Sequence, residues 1–205
     1  MIARLLLVRH GETDSNVDGR SQGRREVPLN DHGRRQVIEL ATALSGRDIV
    51  AVIASPTGRA RATGDAIARA AGVELVTDER LVELDQGELD GLTPLEMRER
   101  DPEFLRRWTE EDPAELQMPG GESLAQAQAR MVEAATAAAR DHDGRMAVLV
   151  SHNLALKALL CHAIGIPIAG FRAFRVDVAS VTTVDVDDGG AFSVLQMNER
   201  CHLQG

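Results

Sequence analysis

The chain has 205 residues, 43% of them hydrophobic, and a formal net charge of −9. That is enough apolar material for one domain with a full core and too much for a disordered chain. The acidic balance argues against nucleic acid or an anionic membrane as partner, since faces that bind them are basic.

Ile2 to Val8 reads as a short apolar strand that runs into Arg9-His10-Gly11-Glu12-Thr13. A guanidinium and an imidazole side by side at the end of a buried strand are costly unless they bind something. Gly11 lets the chain turn sharply and lets its backbone approach a ligand. The apolar run is too short for a signal segment or a bilayer span. From there to Asn30, a stretch holding Asn16, Gln22 and Pro28, there are too few apolar residues for an element. Asn30 is a good N-cap for a helix to about Leu44, with Val37, Leu40, Ala41 and Leu44 on one face. A second strand, Ile49 to Ala54, ends at Ser55-Pro56 and leads into a helix that carries Arg59 in its first turn and stops at Gly72. Val73 to Val76 is a short strand.

The stretch from Asp78 to Gly91 has no clean period and reads as loop. Two short helices follow, Thr93 to Arg100 and Pro102 to Glu110, carrying Met97, Phe104, Leu105 and Trp108. After a Pro- and Gly-rich loop to Gly121 comes a long alanine-rich helix, about Ser123 to Arg140. Met146 to Val150 is a strand ending at Ser151-His152-Asn153, followed by a helix to Ile164. Phe171 to Val178, Val181 to Val186 and Ala191 to Met197 read as strands, the last two joined as a hairpin through Asp188-Gly189-Gly190. The pattern predicts one α/β domain over residues 1 to 205, with residues 93 to 121 as a helical excursion placed to act as a lid. The strand from Phe171 to Val178 is a candidate dimer edge.

Three apolar strands thus deliver polar cargo at one end, and in α/β sheets that edge is where ligands bind. Arg9 and Arg59 offer planar forks that match phosphate oxygens. Either His10 or His152 could attack phosphorus, since imidazole is a nucleophile near neutral pH. The leaving alkoxide needs a proton, and Glu83 is the candidate, among acidic neighbours Glu79, Asp85 and Glu88. Cys161 and Cys201 lack metal or redox spacing, which suits a reducing cytoplasm. Cys161-His162 and Cys201-His202 do not make a zinc site, because neighbouring side chains on a helix diverge.

Arg9-His10-Gly11-Glu12-Thr13 with Asn16 resembles the signature of the histidine phosphatase superfamily, the phosphoglycerate mutase-like proteins. Ser55-Pro56 with Arg59-Ala60 and Thr63 resembles that family's second arginine motif. Leu81, Glu83, Gly87 and Asp90-Gly91 resemble its acid segment. Pro119-Gly120-Gly121-Glu122-Ser123 and Ser151-His152 resemble two further motifs, and Asn198 with Cys201-His202-Leu203 resembles the tail of its small bacterial members. The matches occur in the family's order and cover nearly the whole chain.

The resemblance implies a three-layer α/β/α sandwich around a mostly parallel sheet. It implies a two-step transfer: His10 takes the phosphoryl group while Glu83 protonates the leaving oxygen, then water attacks with Glu83 as base. Arg9, Arg59 and His152 would bind the phosphoryl oxygens, with Asn16, Gln22 and Asn153 in the same pocket, and neither metal nor cofactor is called for. Two departures stand out. Asn153 replaces a frequent glycine and is expected to narrow the pocket, and Ser15 replaces a frequent aromatic. The expected activity is hydrolysis of a small phosphomonoester. The alternatives are a phosphoglycerate mutase, whose members tend to carry a longer insert near the acid motif, and a non-catalytic phosphate-binding protein.

Overall fold

The computed structural model describes residues 1 to 204. It opens with β1 (Ala3–Arg9), a single-turn helix α1 (Asp14–Val17), α2 (Asp31–Leu44), β2 (Ile49–Ala54), α3 (Gly58–Ala71) and β3 (Leu75–Thr77). Then come α4 (Pro94–Arg100), α5 (Pro102–Glu110), α6 (Leu124–Asp141), β4 (Met146–Ser151), α7 (Asn153–Ile164), β5 (Val181–Val186) and β6 (Phe192–Glu199). The six strands form one sheet in the order β3-β2-β4-β1-β5-β6. The first four are mutually parallel, and β5 and β6 are antiparallel additions.

Alternation along β1 explains the layers, because successive side chains leave a strand on opposite faces. Leu5 and Leu7 pack with Met131 and Ala135 of α6 and Leu156 and Leu160 of α7. Leu6 and Val8 pack with Leu40 and Leu44 of α2 and Ile67 of α3. β1 and β4 are buried on both sides, so they read as continuous apolar runs. The helix that follows β1 and the helix that follows β4 therefore lie on opposite faces of the sheet. Between these two neighbouring strands a crevice opens at their C-terminal ends, as at any switch point of an open α/β sheet.

Helices α4 and α5 bury no residue completely. Their inner side chains Met97, Phe104 and Trp108 rest on a third cluster built around Leu84, Leu89, Met118, Leu124 and Phe171. Ion pairs Arg20–Glu96 at 2.7 Å and Arg100–Glu88 at 2.9 Å tie α4 to the body.

Three expectations need correction. Phe171 to Val178 is not a strand: a 3₁₀ turn, Ile168–Arg172, is followed by irregular chain up to β5. The sides of β1 are already taken by β4 and β5, and the apolar spacing reflects two anchors, Phe171 and Val176, both buried. With no ladder there, that segment offers no strand edge for pairing two chains. The polar stretch before Asn30 does hold an element, α1, made by a capping box between Thr13 and Asn16. The helix after β2, expected to start at Ser55-Pro56, begins at Gly58 with Thr57 as its N-cap, so Pro56 lies outside it.

Candidate active site

His10 follows β1 and His152 follows β4, and the register pairs Arg9 with Ser151. One step beyond, His10 N–H donates to Ser151 O at 3.1 Å, and the two imidazole centroids lie 5.1 Å apart. Both rings are buried. His10 Nδ1 lies 2.7 Å from Gly11 O. A carbonyl can only accept, so Nδ1 carries the proton and Nε2 keeps the lone pair. Burial, then the positive charges of Arg59 and Arg9, hold His10 well below the ordinary imidazole range. His152 is held down in the same way, by burial first and then by His10 and Arg59. Two neutral imidazoles thus face a cluster of guanidinium groups.

The loop that carries His10 is fixed from α2. A Cβ on Gly11 would stand 2.7 Å from Gly33 O and 2.8 Å from Val37 Cγ2, and one on Gly33 would stand 2.1 Å from Glu12 O. Gly11 is therefore required by its contact with a helix. Gly11 N–H also donates to Thr63 Oγ1 at 3.2 Å, and Ala179, in the left-handed region at φ 53°, donates to His10 O at 3.0 Å.

Arg59 is buried at 1% exposure. Its Nε–H points at His10 Nε2 (3.3 Å), and its two terminal nitrogens donate to Arg25 O and Gly23 O at 2.7 and 2.8 Å. Arg9 donates to Val176 O at 2.7 Å, while its Nε has no partner. Burial lowers the Arg9 pKa to about 10, so the group stays cationic at neutral pH. His152 Nε2 sits 2.9 Å from Ser55 Oγ and 3.3 Å from Thr57 Oγ1, and its Nδ1 is likewise unpartnered. Asn16 Oδ1 accepts from Thr13 N–H at 3.1 Å, and Gln22 Oε1 accepts from the Thr13 hydroxyl at 3.0 Å. Their NH₂ groups are left as donors, in the orientation that this bonding pattern fixes.

Glu83 comes from the irregular stretch after β3. Its Oε1 accepts from Leu84 N at 2.8 Å and Ala155 N at 2.9 Å, and its Oε2 from Leu154 N at 3.1 Å. The carboxyl thus caps the first turn of α7, and Oε2 keeps lone-pair capacity to spare. Of its acidic neighbours, Glu79 is exposed, Glu88 pairs with Arg100, and Asp85 accepts from Gly87 N and pairs with Arg24.

A cavity of about 100 Å³ brings together Arg9, His10, Asn16, Gln22, Arg59, Glu83 and Asn153. His152 is fully buried behind them. Asn153 is part of the wall. Arg20, Ser21, Gln86 and Leu154 complete the lining. Those four gave no signal in the sequence, because nothing local distinguishes them. The same is true of Arg130, one polar residue in an alanine-rich helix. It donates to Arg80 O, Val82 O and Glu83 O at 2.8, 2.6 and 3.1 Å and pairs with Glu122. A small polar cavity with an uncharged imidazole, three arginines, amide donors and a carboxyl group is suited to a tetrahedral oxyanion that changes hands.

Comparison with known proteins agrees. The family model for the histidine phosphatase superfamily (branch 1) matches residues 5–200. Phosphoserine phosphatase 1 of Hydrogenobacter thermophilus is 33% identical over 98% of this chain and 95% of its own. The probable phosphoglycerate mutase GpmB of Serratia proteamaculans is 36% identical over 89% of this chain and 84% of its own. Among solved structures, Bacillus stearothermophilus YhfR superposes with a TM-score of 0.90 at 31% identity, covering 98% of both chains.

Proposed function

The chain belongs to the histidine phosphatase superfamily, and on that premise we propose that it hydrolyses a small phosphomonoester through a phosphohistidine at His10. The observation that carries the reading is the His10 tautomer. With Nδ1–H spent on Gly11 O, the only lone pair of the ring is on Nε2, toward which Arg59 Nε–H points, and His10 lines the same cavity as Glu83, Arg9 and Arg59.

In the first step Nε2 attacks phosphorus, the N–P bond forms, and the ester P–O bond breaks. Glu83 gives its proton to the leaving oxygen, so an alcohol departs and not an alkoxide. As Nε2 is phosphorylated the ring becomes cationic, and Gly11 O stabilises the Nδ1–H that it holds. Charge on the equatorial oxygens is met by Arg9, Arg59, the amides of Asn16 and Gln22, the Asn153 wall and His152. His152 Nδ1 and Arg9 Nε, buried without partners, are the two nitrogens with most to gain from that anion. In the second step a water attacks phosphorus, Glu83 takes its proton, and the P–N bond breaks to release phosphate.

Hydrolysis is favoured over a mutase because residues 93 to 121 present an apolar face toward the site, which suits departure of an uncharged alcohol better than retention of a glycerate. The relative with a mutase name keeps the second reading in view. No helix among the described residues is long and apolar enough to cross a membrane. The reading places the enzyme in the cytoplasm, consistent with two free thiols, Cys161 and Cys201.

The test is turnover of p-nitrophenyl phosphate with EDTA present, with acid-labile phosphoenzyme trapped by rapid quench. His10→Ala is expected to abolish both. Full activity in that variant would overturn the mechanism. Fast 3-phosphoglycerate isomerisation without phosphate release would favour the mutase, and no turnover with no trapped phosphoenzyme would favour the non-catalytic alternative.

A further inference from the structure

Beside the phosphate cavity lies a second one of about 180 Å³. Met97, Phe104, Leu105 and Trp108 of α4 and α5 form one side, and Leu89 and Phe171 face them. The two cavities meet at Gln86 and Leu154, which line both. Among the described residues that line the second cavity, none carries a charge.

The chemistry sets a direction across that junction. The oxygen that leaves phosphorus must reach the Glu83 carboxyl, whose Oε2 lies 3.1 Å from Leu154 N. Leu154 is also the one apolar residue in the lining of the phosphate cavity. An ester oriented for protonation therefore sends its carbon skeleton past Leu154 into the apolar cavity. A charged skeleton would be stripped of water there and left without a partner.

Two cations lie near these rings, and neither lines the cavity. Arg172 is exposed and lies over Phe171 at 4.3 Å and Trp108 at 5.6 Å, donating to Trp108 O. Lys157, the only lysine in the sequence, has its Nζ 5.8 Å from the Phe171 ring and 5.9 Å from the Phe174 ring. Size sets a further bound, since an apolar cavity of roughly 150 Å³ accepts one benzene ring.

We infer that the preferred substrates are phosphomonoesters of uncharged, apolar alcohols about the size of one aromatic ring. The inference rests on the hydrolase reading and narrows it. Phosphoserine and phosphoglycerate, with carboxylates close to the ester, are poor substrates on this account.

The experiment compares kcat/KM for benzyl phosphate and 4-carboxybenzyl phosphate, whose leaving alcohols are similar in reactivity and differ by one carboxylate. O-phospho-L-serine and 3-phosphoglycerate are run alongside. Benzyl phosphate is expected to lead 4-carboxybenzyl phosphate on the order of 100-fold, the scale of an unpaired charge in an apolar pocket. Leu105→Lys on the outer helix should shrink that ratio at least tenfold, with inhibition by inorganic phosphate reporting on the cradle. Met97→Lys repeats the test should the first variant fold poorly. Equal or better turnover of phosphoserine or 4-carboxybenzyl phosphate would overturn the inference and leave the hydrolase reading intact. So would a preference for the carboxylate that Lys157→Met removes. Absence of turnover for every ester, p-nitrophenyl phosphate included, would instead sink the hydrolase reading and the inference with it.

Discussion

Arg130→Met isolates the anchoring of the acid from the acid itself. The guanidinium holds three carbonyls of the segment that ends in Glu83 and pairs with Glu122. Its side chain is 16% exposed and that of Glu122 13%, so solvent replaces neither partner well. Burial opposes the Glu122 charge, yet the Arg130 bond and charge hold its carboxyl below the ordinary range. Methionine preserves the stem, leaves three carbonyls without their donor, and leaves the Glu122 carboxylate with only Asp85 N–H at 3.0 Å and Arg24 at 3.6 Å. Breaking a buried pair from one side costs about 3–5 kcal/mol, and the partners that Glu122 keeps argue for the lower end of that range. Thermal and urea melts measure this directly. The catalytic consequence follows from the acid role proposed for Glu83. Benzyl alcohol is a poor leaving group and needs the proton, whereas p-nitrophenolate leaves well without it. At 25 °C, where the variant is still folded, kcat/KM, which reports only the step in which the ester bond breaks, should fall on the order of 100-fold for benzyl phosphate, the lower end of general-acid contributions. For p-nitrophenyl phosphate it should fall only a few-fold. A uniform loss for both esters would mean that Arg130 acts on the phosphate cradle or on stability alone, and the positioning argument would fail.

Two further outcomes follow. His10 and His152 stay neutral when folded, while their unfolded forms take up protons near the ordinary pKa of about 6.5. The unfolded state then binds more protons below that pH, so stability is full above it and declines as pH falls. The slope approaches about 1.4 kcal/mol per pH unit for each histidine. Urea melts of wild type, His10→Ala and His152→Ala between pH 7.5 and 5.5 check this, and a slope unchanged in both variants would refute it. Gly33→Ala drives a methyl into the Glu12 backbone, and backbone cannot swing aside. A stability loss of about 1–3 kcal/mol should accompany a larger loss of kcat than of phosphate binding, and wild-type kinetics would show that the nucleophile loop does not depend on α2.

The sequence displayed whatever was carried by residues in unbroken local runs. β1 and β4 are continuous apolar strings because both their faces are covered, and their polar ends are conspicuous for that reason. Arg9, His10, Arg59 and His152 were visible as misfits, and Glu83 needed the family resemblance to stand out from its acidic neighbours. What escaped notice depends on contacts far apart in the chain. Gln86 and Leu154 are ordinary residues until the fold sets them at the junction of two cavities. Arg130 looks like a solvated helix position until its distance to residues 80 to 83 is known. Phe171 to Val178 has a strand's composition, but its apolar residues serve as separate anchors, Phe171 and Val176, in a segment that pairs with no strand.

The Arg9–Ser151 register makes the sheet a ruler. His10 and His152 sit at the tips of adjacent strands, whose separation is fixed at about 4.8 Å by backbone hydrogen bonding. The spacing between the two imidazoles is thereby set by the same bonds that hold the protein together. The walls of the neighbouring apolar cavity come mainly from α4 and α5, which bury no residue completely. Substitutions there can revise which alcohol is accepted while the phosphate chemistry keeps its dimensions. One half of the catalytic apparatus is as rigid as the core, and the other is as free to vary as a surface.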